Sequence, residues 1–251
     1  AQRMDPLIRI AYPLRNLAVS EKVTKNPVFF TPCPHCFRTF SETRAFMADG
    51  DSEIKTKALS AIGLPYSGKT EIKNILQVFE DHQAAQKIKK FLLRNLGGLK
   101  VVCYYGCKLT RPASFVPDLG DPERITIMEK YIKMAGGEAL PWRHAFTCNG
   151  SYLAQGEPDQ GLKMVAEILM EAKRVGAECI VVSCPVCFYN LDGLQRDAFR
   201  AFGQRDEIPV FYLSELLALA MGTPITKLDM AHAVKPDPVL KKIGLLQSAK
   251  K

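Results

Sequence analysis

The second half of the chain alternates short apolar runs with segments of helical period. Leu99 to Tyr105, Glu178-Cys-Ile-Val-Val-Ser183 and Ile208-Pro-Val-Phe-Tyr-Leu213 are too short for helices and rich in β-branched and aromatic residues, so each predicts a strand. Between them lie predicted helices. Asp121-Pro-Glu-Arg124 opens one with an acidic, proline-containing first turn, running to about Ala135 before Gly136-Gly137. Pro158 to Val175 is a second, stopped by Gly176, and Ser214 to Met221 a third. Strands alternating with helices predict an α/β fold with βαβ units on a parallel sheet. Right-handed crossovers then gather the carboxyl ends of the strands along one edge. The first 98 residues read differently, as mostly helix and loop. Glu71 to Leu96 keeps helical spacing until Gly97-Gly98 breaks it. The tail from Lys235, with Pro236 and Pro238, reads as a loosely packed extension.

A length of 251 residues accommodates one large or two small domains, and 47% hydrophobic with 24% charged residues describes a soluble globular protein. No apolar run reaches the roughly 20 residues of a membrane helix, so no transmembrane segment is expected. The opening Ala1-Gln-Arg-Met-Asp-Pro6 has no apolar signal core, which predicts a cytoplasmic location. The net charge of +8 raises nucleic acid as a partner. The basic residues are dispersed, however, apart from Lys87-Ile-Lys-Lys90, Lys241-Lys242 and Lys250-Lys251, and no aromatic residues interleave with them. The expectation is no nucleic acid, but a solvated basic face or an acidic partner subunit.

Cysteine usage narrows the chemistry. There are eight: Cys33, Cys36, Cys103, Cys107, Cys148, Cys179, Cys184 and Cys187. In a reducing compartment such a number points to metal ligands or redox thiols rather than a disulfide frame. Cys107, Cys148 and the pair Cys184 and Cys187 fall on three loops, of which those after Tyr105 and Ser183 leave the carboxyl ends of predicted strands. Four thiolates so arranged suit an iron–sulfur cluster or a structural zinc. Cys103 and Cys179 lie inside strand-like runs and read as small core hydrophobes. Cys33 and Cys36, in Thr31-Pro-Cys-Pro-His-Cys36, read either as a redox pair with a thiolate favoured at a helix start, or as a relic. Of His35, His82, His144 and His232, only His35 has a telling neighbourhood. Gly63-Leu-Pro-Tyr-Ser-Gly-Lys-Thr70 satisfies the phosphate-loop pattern, yet the helix-like Ile54 to Ile62 precedes it where a buried strand is needed, and Pro65 removes a backbone donor.

Tyr104-Tyr-Gly-Cys107 with Arg111-Pro112, Cys148-Asn-Gly-Ser-Tyr-Leu153, and Val182-Ser-Cys-Pro-Val-Cys-Phe-Tyr-Asn-Leu-Asp192 together resemble the B-type subunit of heterodisulfide reductase. More broadly they resemble proteins with the cysteine-rich CCG domain. Leu64 to Thr70 and Thr31 to Cys36 are similar to the same family, so the likeness runs from about Tyr12 to Gly222. It implies duplicated α/β CCG-type domains, with a reduced first copy over residues 1–98 and a cluster-binding copy over 99–251. It implies a 4Fe–4S cluster on Cys107, Cys148, Cys184 and Cys187. Asn149 stands where the family has the second cysteine of Cys-Cys-Gly, which leaves cubane and non-cubane clusters both open and gives Asn149 a cluster-tuning role. Arg9-Ile10-Ala11 stands where the first copy's Cys-Cys-Gly would be. With only Cys33 and Cys36, that first site is a relic, a working dithiol, or a site whose other ligands lie outside this sequence. The implied function is the iron–sulfur subunit of a heterodisulfide-reductase-like complex, transferring electrons to or from a thiol or disulfide substrate. The implied partners are a C-like iron–sulfur subunit and an A-like flavoprotein. Related subunits serve sulfur oxidation, heterodisulfide reduction and organic-acid oxidation. Lys108 and Arg111, beside the ligand loop, would steer an anionic substrate. A non-catalytic scaffold with structural zinc is the competing expectation.

Overall fold

The computed structural model describes residues 5–111, 121, 124–228 and 231–246. Helix α1 (Pro6–Val23) starts where the Asp5 carboxylate accepts the Leu7 N–H, and it buries Ile10, Leu14, Leu17 and Ala18. Strand β1 (Val28–Thr31) leads into α2 (Pro34–Asp49), and α3 (Ser52–Ile62) is capped by Asp51 and ended by Gly63 in the left-handed region. Strand β2 (Glu71–Asn74) returns parallel to β1, from Val28 opposite Glu71 to Thr31 opposite Asn74.

The N-terminal portion is therefore not helix and loop alone, and Glu71 to Leu96 is not one helical run. Asn74 ends β2 and caps α4 (Ile75–Glu80) by accepting the N–H groups of Leu76 and Gln77, while Gln77 reaches back to the Asn74 N–H. Asp81 likewise caps α5 (His82–Phe91), which stops before Gly97. Side chains that compete for backbone donors cut a pattern that periodicity alone joins. The phosphate-loop segment fails its context as expected: helix precedes it and strand follows. The Glu21 carboxylate also occupies its donors, accepting the N–H groups of Ser67 at 2.7 Å and Lys69 at 2.9 Å.

The larger unit is a four-stranded parallel sheet in the order β4-β3-β5-β6. Its elements in chain order are β3 (Lys100–Tyr104), α6 (Ile127–Met134), β4 (Glu138–Ala139), α7 (Leu153–Gly156), α8 (Pro158–Arg174), β5 (Cys179–Val182), α9 (Pro185–Phe188), a π-helical turn (Tyr189–Gly193), α10 (Gln195–Ala201), β6 (Val210–Tyr212), α11 (Leu213–Ala220), a 3-10 turn (Ile225–Lys227) and α12 (Asp237–Lys242). Val101, Cys103 and Val181 face α6, α11 and α12, whereas Val102, Tyr104, Ile180 and Val182 face α8 and α10. Both faces are covered, which is why these strands are apolar throughout instead of alternating.

Two further expectations change. Helix α6 begins at Ile127, not at Asp121; Pro122 and Glu123, like Pro112 and the Lys250-Lys251 pair, lie outside the described residues. Over residues 235–246 the tail is not loose. Pro238 fits the first turn of α12, where its missing N–H has no partner to lose, and Val239 and Leu240 are buried in the main core. Helices α4 and α5 also pack Ile75, Leu76, Phe79, Ala85 and Ile88 against that core.

Candidate metal centre

Strands β3 and β5 run in register, Tyr104 opposite Val182, so the chain leaves both strands side by side. After β3 it turns at Gly106, whose φ is 70°. A Cβ there would lie 2.9 Å from the Cys187 Sγ, so both the backbone conformation and the close approach require glycine. The N–H groups of Tyr105 and Gly106 both donate to the Ala145 carbonyl, at 2.8 and 3.1 Å, which carries the Cys148 loop up to the Cys107 loop. After β5, Cys184 takes the N-cap position of α9 with Pro185 following, and Cys187 falls in that helix's only turn.

Cys107, Cys148, Cys184 and Cys187 consequently line one cavity of about 20 Å³, with Tyr104, Tyr105 and Lys108. The predicted convergence is present. Cys107 is in hydrogen-bond contact with Cys148, and Cys184 with Cys187. The Cys107 thiol, donating to Cys148, pulls the latter down to about 6 against the effect of burial, with help from the Gly150 N–H. The same bond, followed by burial, pushes Cys107 up. Cys184 is pushed far up by its bonds to Cys187 and Cys33 and by burial.

Contact between Cys184 and Cys33 joins the two halves of the molecule, a meeting that spacing along the chain did not reveal. Cys33 caps α2, and its Sγ accepts the Cys36 N–H at 3.4 Å. Bonds from Cys184 and then Cys36 lower Cys33 strongly, while Cys36 is raised by its bond to Cys33 and by burial. His35 lines the same cavity, its ring edge-on to Tyr152 at 5.8 Å. Burial and then nearby Lys108 lower its pKa.

Asn149 is buried. Its amide donates to the Cys187 carbonyl at 3.4 Å, so it ties the Cys148 loop to the Cys187 turn. Asn190, which no spacing argument singled out, completes that tie: its Nδ2 donates to the Asn149 carbonyl at 3.1 Å, the Asn149 Oδ1 at 3.2 Å and the Ser151 carbonyl at 2.8 Å. Its position in the first turn beyond Cys187 was the signal in the sequence. Lys108 lines the cavity but Arg111 does not; the Arg111 carbonyl accepts Arg38 from α2 at 3.1 Å. Cys103 and Cys179 are buried inside β3 and β5 and raised by burial, as core thiols. Among the other histidines, the His144 ring bonds the Thr147 hydroxyl at 3.2 Å, and His232 is buried between Asp192 and Glu215.

Four thiols from three loops are donors that suit an iron–sulfur group or a soft metal. Among the described residues, no three cysteine, histidine or carboxylate side chains are already arranged to hold a single metal ion.

Known proteins bear on this arrangement. The family model described as CCG, cysteine-rich domain, matches residues 101–192. The chain is 30% identical over 236 residues to the 8-methylmenaquinol:fumarate reductase membrane anchor subunit of Wolinella succinogenes, covering 93% of this chain and 81% of that protein. It is 28% identical over 223 residues to the B-type subunit of the ferredoxin:CoB-CoM heterodisulfide reductase of Methanosarcina mazei, covering 87% and 73%. It is also 28% identical over 239 residues to a protein of Archaeoglobus profundus described as like the B-type heterodisulfide reductase subunit, covering 93% and 79%. A crystal structure of a hypothetical protein from Helicobacter pylori shares the fold, with a TM-score of 0.60 and 15% identity over 87% of this chain; the chain spans 39% of that structure's length. Among the described residues no helix is long and apolar enough to cross a membrane.

Proposed function

The chain belongs to the family of B-type heterodisulfide reductase subunits, and on that premise we propose that it is the iron–sulfur subunit of a reductase complex acting on a thiol or disulfide. One observation carries the reading: Cys107, Cys148, Cys184 and Cys187, from three segments distant in sequence, line a single cavity at the carboxyl edge of a parallel sheet. These four residues would hold a 4Fe–4S cluster, which supplies one-electron chemistry where only two-electron thiol chemistry is otherwise on hand. Asn149 and Asn190 fix the spacing of the Cys148 and Cys187 turns, and Asn149 tunes the centre through its grip on the Cys187 carbonyl. Tyr104, buried behind the thiols with its hydroxyl donating to the Thr147 carbonyl, closes that side to water. Lys108 at the rim draws an anionic thiol or disulfide.

The proposed organisation is a reduced copy over residues 1–98 and a cluster-binding copy over 99–251, with a C-like iron–sulfur protein and an A-like flavoprotein as partners in the cytoplasm. Cys33 and Cys36 act as a dithiol beside the centre, with Cys33 in contact with Cys184. The deciding experiment is anaerobic purification with iron, acid-labile sulfide and zinc measured per chain, and electron paramagnetic resonance on the same sample. About four irons with matching sulfide, lost in Cys184→Ser, are expected. One zinc without sulfide would replace this reading with a structural scaffold.

A further inference from the structure

A second cleft lies behind the wall of the cysteine cavity. It measures about 780 Å³ and is framed by the start of α6 and the segment that follows β4. Its floor is apolar, from Ile125, Leu140 and Ala145. Two aromatic pairs separate it from the thiols. Trp142 and Phe146 line the cleft, Tyr104 and Tyr105 line the cysteine cavity, and the rings meet inside the wall. Trp142 faces Tyr104 at 6.0 Å between centroids, and Phe146 stacks on Tyr105 at 5.0 Å and 18°. The wall is held from both sides, because the Trp142 Nε1 donates to the Cys103 carbonyl at 2.9 Å while Ala145 accepts from Tyr105 and Gly106.

The rim is positive. Lys130 and Lys133 stand three residues apart on α6, with Arg124 ahead of them. Arg124 faces Asp121 at 3.4 Å and Lys130 faces Glu80 at 3.7 Å, yet their side chains remain 85% and 52% exposed. Glu129 brings a carboxylate to the cleft lining, but it accepts the Tyr105 hydroxyl, and burial pushes its pKa upward.

We infer that this cleft is the docking face for an acidic electron-carrier protein. The inference rests on the electron-transfer reading of the cysteine site and names the side from which electrons arrive. A carboxylate-bearing surface complements Arg124, Lys130 and Lys133 and a chain of net charge +8, and an open apolar floor suits a protein surface seated between them. An electron leaving the docked carrier is lost by its reduced iron–sulfur centre and would be gained by the cluster that Cys107, Cys148, Cys184 and Cys187 would hold. It crosses two ring layers, and no bond forms or breaks on the way.

The test is calorimetric titration of the isolated chain with a small acidic two-cluster ferredoxin, followed by carbodiimide coupling of carboxylates to lysines. Binding is expected to weaken with salt, and couplings to map to Lys130 and Lys133. Lys130→Glu with Lys133→Glu should weaken binding about tenfold or more, whereas Lys89→Glu with Lys90→Glu on α5 should leave it near wild type. Equal binding by the first variant, or equal loss in the second, overturns the docking face. Phe146→Leu keeps the apolar floor and removes the stacked ring. In iron-loaded protein it should slow reduction by the ferredoxin without changing its affinity or the rate with methyl viologen radical. Equal slowing with the viologen would overturn the wall's role. The two readings fail separately: a chain without iron that still binds ferredoxin at Lys130 and Lys133 removes the proposed function and leaves the docking face.

Discussion

Thr31-Pro-Cys-Pro-His-Cys-Phe37 and Val182-Ser-Cys-Pro-Val-Cys-Phe188 are nearly the same segment twice over, and the molecule treats them differently. In both, a parallel strand ends, the first cysteine takes the N-cap position of a helix, proline takes the first helical position and the second cysteine follows within one turn. What differs is the neighbourhood. Strand β5 has β3 on one side and β6 on the other, so Cys184 and Cys187 are buried and meet the loops that follow β3. Strand β1 has only β2. Cys33 is half-buried, Cys36 is exposed, and the helix beyond them runs on for 16 residues instead of giving way to the turn that carries Asn190. Local sequence makes the turn; the flanking strand makes the site.

The strongest way to break this comparison is to remove each pair in turn. Cys184→Ser with Cys187→Ser is expected to leave less than about a tenth of the wild-type iron, since two of four ligands go and structural metal binding is steeply cooperative with its ligand set. Cys33→Ser with Cys36→Ser should retain most of it. Equal loss in both, measured as iron and sulfide per chain, would show that the two turns serve one centre.

A smaller effect compares two glycines. Gly106 and Gly63 both sit at positive φ, 70° and 60°. Alanine at Gly63 meets nothing within 4 Å, so only backbone strain of about 1 kcal/mol is expected there. Alanine at Gly106 adds a 2.9 Å contact with the Cys187 sulfur, and a loss of about 2–3 kcal/mol is expected. Urea midpoints of the metal-free proteins check this, and equal shifts would mean that the cavity wall yields. Smaller again is Asn190→Ala. It leaves the carbonyls of Asn149 and Ser151 short of a donor and should cost about 1–2 kcal/mol. Thermal melts with and without iron would also show whether the Cys148 loop still meets the Cys187 turn.

The sheet and its edge were legible because a parallel sheet covered on both faces writes apolar runs, and because glycine, aspartate and proline punctuate them. The four cysteines converged for the same topological reason. Strand β2 was not legible: Glu71-Ile-Lys-Asn is four residues of mixed polarity, and it is a strand only because β1 lies beside it. Helix α12 was hidden by prolines that suit a first turn as well as a loop. The contact between Cys33 and Cys184 could not be read at all, since it depends on how two units pack and not on any period along the chain.

That contact supplies the finest comparison. In the metal-free protein, Cys33 accepts hydrogen bonds from Cys184 and Cys36, which favour its thiolate, while the same bonds and burial hold Cys184 and Cys36 as thiols. A lowered pKa keeps Cys33 ionised on the acid side of the ordinary thiol range, and raised values keep Cys184 and Cys36 protonated beyond it. Alkylation with iodoacetamide at neutral pH, followed by peptide mapping, should therefore label Cys33 ahead of Cys36, although Cys36 is the more exposed, and Cys184 last. Cys148 should label with a midpoint near pH 6, set by the Cys107 thiol. Labelling that followed exposure alone, Cys36 first, would mean that the two CxxC turns do not touch in solution, and that the first turn is the separate relic its exposed position suggests.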